Sequence, residues 1–188
     1  PEAPTPAAAA PSGLAAPYAP AVLEVPKATP IPAMPFAKLG DLAAAVVAQE
    51  APVPTELVAL RLAALWGVPL DAEIRAAVQQ ALRLAKELSG LTETGGFWTE
   101  EGSVVAPRDR AALPPALRRA ALVAPAEWRA ALLALVDATN GTPRDALETG
   151  AAKLLGLELS ARGAAAAQLA LLEGEGVLAE RAGLVVRA

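Results

Sequence analysis

"LWGVPL", Leu65–Leu70, and "LLGLEL", Leu154–Leu159, stand eighty-nine residues apart with Gly67 and Gly156 in the same register. In each, a run of helix formers stops at a glycine, the residue that best tolerates the left-handed conformation just past a helix end. An Ala/Leu-rich chain produces such matches by chance, so the flanks must decide. Pro54 matches Pro143, Glu56 Asp145, Val58 Leu147, Leu65 Leu154, Trp66 Leu155 and Leu82 Leu171. Beyond the third helix the offset becomes 87: Leu91 matches Leu178, Gly96 Gly183 and Phe97 Leu184. A two-residue deletion at a helix end accounts for the change. Pro, Gly and hairpin positions recur in one order, which predicts a module written twice.

The first copy opens with a helix from Phe36, where Leu39, Leu42, Val46 and Val47 recur at helical spacing until Pro52 and Pro54 stop it. "PTELVALRLAALWG" predicts a second helix with Pro54 in its first turn and Glu56 at its positive end. Val58, Leu62 and Leu65 form its buried stripe; Trp66 looks exposed beside it, but as one of the few large aromatics (Phe36, Trp66, Phe97, Trp98, Trp128) it is expected to mark a packing site. Asp71 is the expected N-cap of a third helix with an apolar face of Ile74, Val78, Leu82, Ala85 and Leu88. "LTETGGFWTEEG" predicts a β-hairpin about Gly95-Gly96, with Trp98 packed rather than exposed for stacking. The second copy begins at Pro125-Ala126-Glu127, with Trp128, Leu132, Leu135 and Val136 facing inward, and Thr142-Pro143-Arg144-Asp145 reads as a capping signature.

The expected fold is mainly α with small β-hairpins (α+β): two winged helix-turn-helix units in tandem, at 36–100 and 125–188. An Arg- and Pro-containing connector, 101–124, joins them. A Pro/Ala-rich tract, 1–35, reads as an extended polyproline-II-like linker because its prolines remove donors and block helix.

Composition excludes several classes of chemistry. The 188 residues contain no Cys and no His, which removes disulfides, thiolate nucleophiles, Cys/His zinc sites and His bases. The net charge of −4 argues against a strongly basic nucleic-acid coat. Residues 39–99 sum to −3, 127–188 to −2 and 100–126 to +1. No apolar run is long enough to span a bilayer, and no basic leader precedes an apolar stretch. The absence of an initiator Met predicts a fragment of a longer protein. A cytoplasmic location, nucleoid-associated if DNA is bound, is expected.

The run "EAPVPTELVALRLAALWGVPLDAEIRAAVQQAL…GGFW", then "PRDR", then "APAEWRAALLALVDATNGTPRDALETGAAKLLGLELSARG", resembles a bacterial domain of unknown function. That domain lies near the C-terminal end of very large superfamily-1 helicase-like proteins that also carry a restriction-type nuclease domain. The resemblance covers about residues 39–187. It rests on Glu50-x-Pro52, the Leu-x-Gly stops at Gly67 and Gly156, Gly96-Phe97-Trp98, and Pro107-Arg108-x-Arg110. Such domains follow the Leu-x-Gly stop with a basic, Gly-containing turn. Here those places read "PLDAEI" and "ELSARG", and only Arg162 and Gly163 match it. The resemblance implies an accessory module of a DNA-processing machine, with other domains of a parent helicase or nuclease as partners.

No G-x-x-x-x-G-K-[ST] loop occurs, so this chain is not expected to be an ATPase motor. Ser12, Ser89, Ser103 and Ser160 have no His to activate them, and no catalytic, metal or cofactor residues are expected. Nor is a small-molecule ligand or a membrane partner expected. The best functional stripe is on the third helix of the first copy, where Arg75, Gln79, Arg83 and Lys86 recur at i, i+4, i+8 and i+11. Such a helix enters the major groove, where Arg pairs with guanine and Gln with adenine. With Arg108, Arg110, Arg118 and Arg119 of the connector, and Arg162, these are the candidate contacts to duplex DNA. The alternative is a protein–protein interaction or scaffold module with no direct DNA binding, which the Ala-rich "SARGAAAAQLALLEGEG" suits.

Overall fold

The computed structural model describes residues 13–188. The described elements, in order, are β1 (Ala16–Pro17), α1 (Phe36–Glu50), β2 (Val53–Pro54), α2 (Thr55–Trp66), α3 (Ala72–Ser89), β3 (Leu91–Thr94) and β4 (Phe97–Glu100). Then come β5 (Arg108–Asp109), α4 (Pro125–Thr139), α5 (Arg144–Leu154), α6 (Arg162–Gly174), β6 (Leu178–Arg181) and β7 (Leu184–Arg187). The protein is α+β, mainly helical with small sheets. It forms two compact units: an N-terminal one of Ala19–Val105 with Leu122–Ala124, and a C-terminal one of Ala106–Ala121 and Pro125–Ala188 with the described residues up to Tyr18.

In the N-terminal unit, α1, α2 and α3 pack against one another, and α3 also meets β3. The buried face of α3 is Ile74, Ala77, Val78, Ala81, Leu82 and Ala85, a helical stripe. Leu88, expected on it, is 71% exposed in the last turn of α3, which ends one residue later at Ser89 with left-handed Gly90 as its C-cap. Asp71 caps α3, accepting the Ile74 N–H at 2.8 Å, which stabilises a helix start by about 1 kcal/mol. β2 joins the hairpin, giving a three-stranded sheet of order β2-β4-β3 with Val53 opposite Trp98.

The C-terminal unit repeats this order. α1 and α4 both have 15 residues, offset by 89. Gly67 and Gly156 stand at φ +75° and +67°. Their flanking bonds match atom for atom: Gly67 N–H to the Ala64 carbonyl and Val68 to Ala63, then Gly156 to Lys153 and Leu157 to Ala152. Thr142 bridges Val185, the counterpart of Val53 on Trp98. The β6–β7 pairs, such as Leu178 with Arg187, repeat Leu91 with Glu100 at an offset of 87.

One register differs from the sequence reading. Leu82 is fully buried, but Leu171, matched to it, is 53% exposed, and Leu169 is buried instead. The buried set Ile74, Val78, Leu82 and Ala85 corresponds to Ala161, Ala165, Leu169 and Leu172. The two-residue deletion therefore lies in the turn before α6, not after it. With the shorter turn goes the counterpart of the Asp71 cap. A 3-10 turn, Leu159–Ala161, leads into α6, whose N-cap Ala161 offers no side-chain bond.

Other expectations are met or corrected by long-range contacts. Trp66 is buried, as a scarce large aromatic should be despite its exposed-looking place, with its indole N–H donated to the Thr29 carbonyl at 2.9 Å. Pro54 is the N-cap of α2 rather than a first-turn residue. Thr142 does not cap α5; its hydroxyl shares a 2.6 Å hydrogen bond with that of Thr139. The linker reading fails for residues 16–34, where Tyr18, Ala21, Ile31 and Met34 are buried. Proline blocks helix there but not packing of an extended chain. Its part on residues 1–12 lies outside the described residues. The connector likewise divides: 106–121 pack in the C-terminal unit and 122–124 in the N-terminal one.

Candidate nucleic-acid interface

On α3, Arg75, Gln79, Arg83 and Lys86 are all exposed. At 1.5 Å per residue they span about 16 Å along one face. The buried stripe of α3 fixes which face this is. Arg75 is engaged: its Nε donates to Glu56 Oε2 at 2.9 Å and Nη2 to Oε1 at 3.3 Å. Both partners are about half exposed (48% and 49%), so the pair is worth at most about 1 kcal/mol and opens readily. Gln79, Arg83 and Lys86 have no hydrogen-bond or ion-pair partner among the described residues. Exposed Asp71, Glu73 and Glu87 on the same helix dilute the positive field. On the hairpin, Thr94 is exposed, Thr92 pairs with Thr99 at 2.8 Å, and Trp98 is buried with its indole N–H on Thr55 Oγ1 at 2.8 Å.

α6 lacks this stripe. With the corrected register, Arg75 corresponds to Arg162, while Gln79, Arg83 and Lys86 correspond to Ala166, Ala170 and Glu173. Arg162 repeats the ion pair of Arg75: it holds Asp145, the counterpart of Glu56, and donates Nε to Glu148 Oε2 at 2.7 Å. Its Nε and Nη2 are engaged by the carboxylates of α5, as those of Arg75 are by Glu56, and it lacks the neighbouring Gln and cations that accompany Arg75.

Arg108 and Arg110 are withdrawn from the DNA contacts. Arg110 is only 2% exposed and grips buried Glu127 with two bonds, Nη1 to Oε1 at 2.8 Å and Nη2 to Oε2 at 2.7 Å. Arg108 adds its backbone N–H at 3.0 Å to Oε1 and its Nη2 at 3.0 Å to Oε2. Both guanidiniums lie over the Tyr18 ring, 4.8 Å from its centroid, a cation–π arrangement. Burial alone would raise the Glu127 carboxyl. The hydrogen bonds and charges of Arg110, then of Arg108, together outweigh it and hold the group below its ordinary value. These arginines lock the connector to α4 and are not presented to a phosphate.

Arg119 remains exposed, with Nε on the Ala116 carbonyl at 2.9 Å. Arg118 is half-buried, and its Nε is buried without a partner. Thus α3 carries Arg75, Gln79, Arg83 and Lys86 in the N-terminal unit, and Arg118 and Arg119 stand in the C-terminal unit.

The sequence reading missed three buried carboxylates. Besides Glu127, Glu50 is fully buried, accepting the Ala21 N–H at 2.8 Å and Arg61 Nε at 2.6 Å, and Glu148 is 5% exposed beside Arg162. A Glu set among apolar residues at helix spacing was the available signal. Among the described residues, no group of three or more His, Cys, Asp or Glu is placed to hold a metal ion, and no helix is long and apolar enough to cross a membrane.

No family model matches the chain, and no curated protein or solved structure matches it.

Proposed function

We propose that the protein is a non-catalytic accessory module that holds duplex DNA weakly through α3. In this reading each unit is a winged helix-turn-helix: three helices, a short strand before the second, and a hairpin as the wing. The module serves a helicase- or nuclease-like parent protein in the bacterial cytoplasm, at the nucleoid.

One observation carries the proposal. The exposed face of the 18-residue α3 displays Gln79, Arg83 and Lys86 without partners among the described residues, although most other arginines are ion-paired. Arg83 suits guanine, Gln79 suits adenine, and Lys86 suits a phosphate. Arg75 joins them when Glu56 releases it. Two phosphate contacts, by Lys86 and the released Arg75, give a slope of about −2 in log K against log salt.

Salt titration of binding to labelled duplex is the test. The expected result is low-salt binding that weakens along that slope, with Lys86→Ala flattening it by about 0.9 and Arg83→Ala weakening binding and relaxing sequence preference. No binding at low salt, or an unchanged slope in the double variant, refutes the proposal.

A second reading, docking to another protein, is favoured by α6. There the counterparts of the basic stripe are Ala166, Ala170 and Glu173, and Leu171 is 53% exposed. A stable complex with another domain of the parent, seen by light scattering without DNA, is its expected signature.

A further inference from the structure

At the shortened turn before α6 lies a groove of about 250 Å³ within the C-terminal unit. Arg118, Arg119, Glu158 and Ser160 provide its polar lining, and Pro115 and Ala161 stand among its apolar walls. The groove is well above the ~30 Å³ share of one water. Two cations against one carboxylate leave it net positive.

Arg118 is its unusual member. Its Nε is the sole buried side-chain nitrogen or oxygen without a hydrogen-bond partner among the described residues. Leaving a buried donor unmatched costs about 1–3 kcal/mol, more when it is charged. Other buried cationic groups here follow the usual rule: Arg110 grips Glu127, and Arg61 holds Glu50. Glu158 lines the same groove, yet it makes no ion pair with Arg118 or Arg119 within the described residues. Internal neutralisation is therefore at hand and unused.

The donors have a common direction of chemistry. Arg118 keeps its terminal nitrogens, whose charge and N–H groups suit an oxyanion, while its unmatched Nε leaves the guanidinium without an internal anion. Arg119 spends Nε on Ala116 and keeps its terminal nitrogens. Ser160 adds a hydroxyl, and α6 begins immediately after Ala161 without a side-chain cap. Two guanidiniums and a hydroxyl outnumber the oxygens of a carboxylate and fit a tetrahedral oxyanion.

We propose that this groove binds a phosphate oxyanion, held by the terminal guanidinium nitrogens of Arg118 and Arg119 and the Ser160 hydroxyl. The phosphate is supplied either by a nucleic-acid backbone or by a small phosphate compound. The proposal does not rest on the α3 reading, because every residue it uses lies in the C-terminal unit.

The test is a nuclear magnetic resonance titration of the full chain with inorganic phosphate, against chloride at matched ionic strength. The expected result is saturable shifts of the Ser160 and Ala161 amides and the Arg118 Nε–H. Affinity falls at least about tenfold in Arg118→Met, as loss of a charged hydrogen bond requires, and is unchanged in Arg83→Ala/Lys86→Ala. If Arg118→Met does not fold, Arg119→Gln/Ser160→Ala serves in its place, with the same weakening expected. No saturable shift, or equal affinity in the groove variants, overturns the proposal. A duplex oligonucleotide then identifies the source. Displacement of phosphate by duplex marks the backbone, and a phosphate response untouched by duplex marks a small compound. Loss of duplex binding only on mutating α3, with phosphate binding intact, separates the two proposals.

Discussion

Substituting alanine at Gly67 and Gly156 compares one turn in two settings. Each glycine sits in the left-handed region, at φ +75° and +67°, where an L-residue costs roughly 1–2 kcal/mol. Alanine also restricts the unfolded chain, returning about 0.4–1 kcal/mol. For Gly67 that is the whole effect, since an added Cβ meets nothing within 4 Å. The expected cost of Gly67→Ala is therefore about 1 kcal/mol. At Gly156 the same Cβ would stand 2.2 Å from the Ala111 backbone nitrogen and 2.6 Å from that of Arg110. Backbone cannot swing aside as a side-chain tip does, so 109–111 must move. That breaks the Arg110 N–H bond to the Leu155 carbonyl, 3.1 Å, worth about 1 kcal/mol. It also shifts Arg110 from Glu127, where loss of a buried partner reaches about 3–5 kcal/mol. Gly156→Ala should cost at least about 2 kcal/mol more than Gly67→Ala. Hydrogen exchange at the α1–α3 and α4–α6 amides reads the two units separately. Equal costs in the two units would refute the reasoning that the connector clamps Gly156.

Glu127→Gln should destabilise the C-terminal unit by about 3–5 kcal/mol at neutral pH, because two arginines lose their anion. The folded carboxyl is held below its ordinary value, so its contribution is complete above the unfolded value of about 4.3. It is lost as pH falls through the folded value. Acid titration of unfolding should show a limb below about pH 4 that the variant flattens; an unaltered limb would place the acid sensitivity elsewhere. Ala182, at φ +51° where the first hairpin has Gly95 at +59°, is strained. Ala182→Gly should stabilise by up to about 1 kcal/mol, measured by urea unfolding; a loss of stability would count against the turn assignment.

What was legible in the sequence was local. The Asp71 cap, the glycine stops and the Gly95-Gly96 hairpin depend on a few neighbouring residues, and the structure has them where periodicity puts them. The stripe of α6 was not legible. With alanine at 164–167, several faces are equally apolar, so Leu169 and Leu171 could not be ranked by pattern. Arg108, Arg110 and Arg162 looked available because charge is a local property while its neutralisation is not. Glu127 lies 17 residues from Arg110, and Tyr18 far earlier still. The exposed stripe of α3 was readable, since a strong buried stripe on one helix defines the opposite face.

The early proline-rich stretch has a practical consequence. By helix count, a chain trimmed to 36–188 keeps every helix longer than one turn. It would nevertheless strip the Ala21 N–H from Glu50, the Thr29 carbonyl from the Trp66 indole, and the Tyr18 ring from Arg108 and Arg110. The trimmed chain exposes buried polar groups and core in both units at once. The smallest piece that folds faithfully begins ahead of Ala16, twenty residues before the first α-helix.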